Sequence, residues 1–154
     1  MPKVLIAYFH AGGTTENMAG YIAEGVRIKG GEVVVKEISA LSLPRDLAGY
    51  DGFIFGAPTY SQEIPVPMQN FLEKAKGAMR AGKPGGSFGP YTHEVGYSHE
   101  HYAPAKILDK MENSLKLAPF ELGPLALRES TVDTAEGMHA CQQYGEVFTQ
   151  SLSA

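Results

Sequence analysis

Val4-Leu5-Ile6-Ala7-Tyr8-Phe9 runs straight into His10-Ala11-Gly12-Gly13-Thr14-Thr15-Glu16. The first six residues read as a buried strand, and the next seven as a small-residue turn that opens an amphipathic helix. Gly12 and Gly13 let backbone N–H groups converge on one point, Thr14 and Thr15 add hydroxyl donors, and the positive end of the helix dipole favours an anion there. The stretch therefore reads as a cradle for a phosphorylated cofactor, although an ordinary glycine-threonine N-cap turn has the same composition. A nucleoside-triphosphate loop needs G-x-x-x-x-G-K-[ST], but Thr14 follows Gly13 and no lysine is near. The dinucleotide pattern G-x-G-x-x-G is missing too, because Gly12 and Gly13 are adjacent and residues 14–19 hold no glycine.

Outward from this turn, strands and helices alternate. Thr15–Lys29 is predicted helical, with Met18, Ile22, Val26 and Ile28 available for its buried side and Gly30-Gly31 as the stop. Val33–Ile38 follows as a strand, Leu41–Ala48 as at best a short helix, and Gly52–Gly56 as a strand apolar enough to be covered on both faces. Val66–Met79 is predicted helical, with Met68, Phe71, Leu72 and Ala75 on one face. Gly85–Gly89 is weak by propensity and is the fourth strand from its place in the alternation. Pro104–Leu117 is helical, Phe120–Leu127 is a fifth strand interrupted by Gly123-Pro124, and Asp133–Ser151 is the last helix. Strand-helix units joined by right-handed crossovers give a doubly wound parallel sheet of the α/β class.

At 154 residues the chain is expected to form a single domain, 1–154, with a full core. A net charge of -4 without a Lys/Arg cluster argues against nucleic acid. No apolar run approaches a membrane span, and the first strand begins without a charged leader, so the expected location is the cytoplasm. The lone cysteine, Cys141, excludes an internal disulfide and reads as a small packed residue.

Ligands of such sheets sit beyond the carboxyl ends of the strands, where strand order reverses, which directs attention to the loops after strands one, three and four. The second of these is Ala57-Pro58-Thr59-Tyr60-Ser61-Gln62-Glu63-Ile64-Pro65; the third is Pro90-Tyr91-Thr92-His93-Glu94-Val95-Gly96. A phosphate cradle and two aromatic loops around one crevice suit a flat heteroaromatic ring with a phosphate tail. Four segments then resemble motifs of the flavodoxin-like family, most closely the FMN-binding module of flavodiiron (A-type) flavoproteins. Gly13-Thr14-Thr15-Glu16 with Met18-Ala19 resembles G-[NS]-T-E-x-M-A; Gly56-Ala57-Pro58-Thr59 resembles G-[SA]-P-T. Ser87-Phe88-Gly89-Pro90-Tyr91 resembles F-G-S-Y, and Gly123-Pro124-Leu125 resembles the start of the last strand.

The resemblance implies a five-stranded sheet in the order 2-1-3-4-5 with helices on both faces, and noncovalent FMN. It puts the phosphate on His10, Ala11, Gly12, Gly13, Thr14 and Thr15, and the ring between the second and third loops. The expected cofactor contacts there are Pro58, Thr59, Tyr60, Ser61, Gln62, Gly89, Pro90, Tyr91, Thr92, His93 and Glu94. Tyr60 and Tyr91 are the candidates for ring stacking; Thr59, Ser61 and Gln62 suit the ribityl chain or ring edge. His10 replaces the usual serine or threonine with an imidazole, which can donate to phosphate and gains charge as pH falls. His93 stands where the related module often has tryptophan, and Tyr60–Glu63 lacks the glycine that many flavodoxins place near the flavin N5. Glu94, if ionised beside the ring, disfavours an anionic reduced flavin; a solvated loop carboxylate is the competing reading.

The cluster His93, Glu94, His99, Glu100 and His101 lacks metal-ligand spacing and reads as a polar border of the crevice, and residues 97–102 as a lid or docking patch. His139 reads as a surface or cap residue, and Tyr144 and Phe148 as core. Three functions compete: an FMN electron carrier working with redox partner proteins, an FMN-dependent NAD(P)H:quinone oxidoreductase, and a flavin-free scaffold. The carrier is the first reading; the chain is short for the second and shows no nicotinamide motif, and the two aromatic loops make the third the least favoured. The oligomeric state stays open.

Overall fold

The computed structural model describes residues 1–10, 13–42, 44–59, 63–92 and 102–153. Five parallel strands, β1 (Lys3–Tyr8), β2 (Glu32–Glu37), β3 (Gly52–Gly56), β4 (Pro84–Tyr91) and β5 (Ala118–Arg128), form one sheet in the order β2-β1-β3-β4-β5. Four helices alternate with them: α1 (Thr14–Ile28), α2 (Val66–Lys74), α3 (Ala103–Asn113) and α4 (Ala135–Ser153).

The period-two alternation of the central strands explains why both faces must be covered. Leu5, Ala7, Phe53 and Phe55 join Met68, Phe71 and Leu72 of α2 and Ile107 and Met111 of α3 in one core cluster. Val4, Ile6 and Ile54 point the other way and pack with Met18, Ile22 and Val26 of α1 and Cys141, Tyr144 and Phe148 of α4. On that second face the two helix backbones touch. A Cβ on Gly25 would lie 1.9 Å from the Gln142 carbonyl, and one on Gly145 2.1 Å from that of Ile22.

Ile28 is not part of the buried stripe: it is 61% exposed. Met18, Ile22 and Val26 advance by four, whereas Ile28 lies two past Val26, on the far side of the helix. The predicted ends of two helices also shorten. α2 stops at Lys74, ahead of a turn containing Gly77 at φ 79, and α3 stops at Asn113, before Lys116 at φ 61.

The weak fourth strand and the broken fifth share one cause. Their register passes from Gly85↔Pro119 directly to Ser87↔Pro124, so β5 bulges around Gly123 instead of ending. The Tyr144 hydroxyl bridges the gap, accepting from the Ser87 N–H at 3.1 Å and donating to the Gly123 carbonyl at 2.7 Å. Gly86 leaves room for it, since a Cβ there would sit 2.8 Å from that hydroxyl.

Candidate functional site

Strand order reverses between β1 and β3, and the chain continues from both strand ends into a hydrogen-bonded rim. Phe9 N–H donates to Gly56 O at 3.0 Å, Ala57 N–H to Phe88 O at 3.1 Å, and Thr59 N–H to Pro90 O at 3.2 Å. Gly89 lies against the backbone of Ala57, where a Cβ would come within 1.9 Å of the carbonyl oxygen. A cleft of about 150 Å³ opens above this rim, lined by Thr14, Pro58, Thr59, Pro90, Tyr91, Thr92 and Glu129. A wider opening of about 420 Å³ beside it shares Tyr91, Thr92 and Glu129 and adds Arg128 and Ser130.

At the helical side of the cleft, Gly13 caps α1 in the left-handed region (φ 91, ψ -25) and brings no side-chain acceptor to the first turn. The helix N-terminus, where leading N–H groups and the helix dipole favour an anion, therefore carries no side-chain cap from Gly13. Thr15 is 1% exposed, and among the described residues its Oγ1 is the buried side-chain polar atom with no hydrogen-bond partner. The Thr14 hydroxyl donates to Glu129 Oε1 at 3.1 Å. His10 Nδ1 lies 3.5 Å from Glu16 Oε2, while the His10 backbone N–H donates to Glu37 Oε1 at 3.4 Å. Burial pushes the Glu37 carboxyl up, but hydrogen bonds from Ser39 and His10 outweigh it, and the net shift is downward. The Tyr8 hydroxyl, raised by burial and by the Glu16 carboxylate it donates to, closes this corner.

On the opposite wall, Thr59 is 6% exposed and its Oγ1 accepts from the first N–H of α3, that of Ala103, at 2.9 Å. Ser87 Oγ donates to Pro104 O at 2.6 Å, a second tie between the sheet and the start of α3. The half-buried ring of Tyr91 stacks on buried Tyr102, centroids 4.4 Å apart at 29°, and the Arg128 guanidinium stands 5.7 Å from its centroid.

The structure thus brings Thr14, Pro58, Thr59, Pro90, Tyr91 and Thr92 to one cleft, with Gly13 and Thr15 in the first turn of α1 and His10 at its edge. Ala11, Gly12, Tyr60, Ser61, Gln62, His93 and Glu94 lie outside the described residues, as do His99, Glu100 and His101. The lid or docking patch expected over 97–102 is corrected at Tyr102, which is buried and stacked on Tyr91, and sequence reasoning missed Arg128 and Glu129. Arg128 ends β5 and Glu129 opens the turn after it, so a cation and a carboxylate at a strand's carboxyl end were the available signal. Among the described residues no helix is long and apolar enough to cross a membrane.

The residues suit a phosphorylated ligand on two observations: an orphaned buried hydroxyl at the first turn of α1, and a left-handed glycine with open space where its Cβ would be. Comparison with known proteins agrees. A family model for the flavodoxin domain matches residues 5–119. A flavodoxin from the domain Archaea superposes with a TM-score of 0.85 at 22% identity, over 99% of each chain. Flavodoxin 2 from Bacillus cereus gives 0.80 at 24% identity, over 97% of this chain and 99% of that one. The Flv1 flavodiiron core from Synechocystis sp. PCC6803 gives 0.81 at 24% identity; 99% of this chain matches 36% of that longer one. The chain belongs to the flavodoxin-domain family, and that membership indicates FMN as its cofactor.

Proposed function

We propose that this protein is a cytoplasmic electron carrier that holds FMN noncovalently at the carboxyl ends of β1, β3 and β4 and works between redox partner proteins, a reductase and an acceptor. The observation that carries this reading is the Thr15 hydroxyl, buried without a partner at the start of α1. A phosphate oxygen there satisfies it and meets the helix dipole at the same point. His10, Ala11, Gly12, Gly13, Thr14 and Thr15 hold the phosphate. Thr59, Ser61 and Gln62 meet the ribityl chain or ring edge, and at least one of Tyr60 and Tyr91 stacks on the ring. Pro58, Gly89, Pro90, Thr92, His93 and Glu94 complete the walls.

FMN supplies the one- and two-electron chemistry when bound; the chain supplies binding, orientation and local charge. Tyr91 is held against Tyr102, which restricts the rearrangement it can make on binding. Purified protein is expected to be yellow, with a flavin absorbance spectrum, and to release FMN on denaturation. Colourless protein that takes up no added FMN rules the reading out. NAD(P)H-dependent bleaching with quinone turnover assigns the oxidoreductase function instead.

A further inference from the structure

We propose that Glu129 is a specificity-determining residue of the phosphate cradle, one that weakens the preference for a phosphorylated over an unphosphorylated flavin. The inference rests on the flavin reading above. Glu129 lies on the short turn after β5, far in sequence from the cradle, yet its carboxylate lines the cleft and takes the Thr14 hydroxyl at 3.1 Å. A phosphate oxygen reaching the first turn of α1 competes with Glu129 for that donor. The same carboxylate repels the dianion. Further charge around this turn is mostly of the same sign: Glu16 pairs with His10, and Asp133 accepts from Asn17 at 3.2 Å and from Tyr21 at 2.7 Å. Arg128 brings a cation to the adjoining opening, where its guanidinium stands over Tyr91. Riboflavin carries no phosphate, so Glu129 costs it nothing by repulsion.

FMN and riboflavin dissociation constants, read from flavin fluorescence on the full chain after any bound flavin is removed, test this. Glu129→Gln is expected to tighten FMN about tenfold at low ionic strength, with less gain in high salt, and to leave riboflavin unchanged. Glu129→Ala, which lacks the amide, is expected to shift FMN the same way. Equal tightening of both flavins, or FMN binding that is unchanged or weaker, overturns the proposal. A wild-type chain that binds neither flavin overturns the flavin reading and the proposal together, and is distinguishable because it fails before any substitution is made.

Discussion

A buried hydroxyl without a partner costs a protein roughly 1–3 kcal/mol, and Thr15 carries that cost in the ligand-free chain. Thr15→Val keeps the shape and removes the cost. Urea denaturation of the ligand-free variant is expected to give a stability equal to or about 1 kcal/mol above wild type, with FMN affinity lower by about tenfold or more. Lower stability with unchanged FMN affinity would make Thr15 a packing residue. Cys141 is the other residue whose chemistry is set by burial: its thiol is pushed up from 9.0 to about 12, with the Asp133 carboxylate adding to the shift. The folded chain keeps this proton where the unfolded chain loses it. Its contribution to stability is therefore whole below pH 9 and is lost as pH rises toward 12. Tyr144, also raised by burial, acts in the same sense. Cys141→Ala is expected to flatten the fall of the urea midpoint across that alkaline range. An unchanged slope would show that the thiol does not titrate with unfolding.

At the scale of elements, β4 and β5 depend on a side chain from α4. Without the Tyr144 hydroxyl, the Ser87 N–H and the Gly123 carbonyl lose their partner at the bulge. Tyr144→Phe is expected to cost about 1–3 kcal/mol, measured by chemical denaturation, because the buried Ser87 N–H is orphaned and the half-buried Gly123 carbonyl loses its donor while the ring contacts with Phe120 remain. A cost below about 0.5 kcal/mol would mean that the groups find other partners. This bridge also shows why propensity read these strands poorly. Gly85-Gly86 looks like a loop when only local preference is counted, and becomes a central strand because Gly86 admits a tyrosine from elsewhere. Helices α1 and α4 were legible from their spacing, but their contact was not. Gly25 and Gly145 look like ordinary helix weaknesses until the two backbones are seen to meet at them.

For the molecule as a whole, cofactor binding and folding are one equilibrium. FMN at a hundred times its dissociation constant is expected to stabilise the protein by about 2.7 kcal/mol, visible as a rise in melting temperature that grows with FMN concentration. A melting temperature indifferent to FMN would contradict binding to the native state. The alternation of strands and helices and the cover on both faces of β3 were legible locally, because each is written in consecutive residues as hydrophobic period and turn chemistry. Contacts between distant elements alone make Glu129 reach Thr14, Tyr102 back Tyr91, Thr59 tie down α3 and Tyr144 mend the sheet. Those pairings join residues far apart in the chain, and their geometry exists only once the crossovers have brought the strand ends side by side.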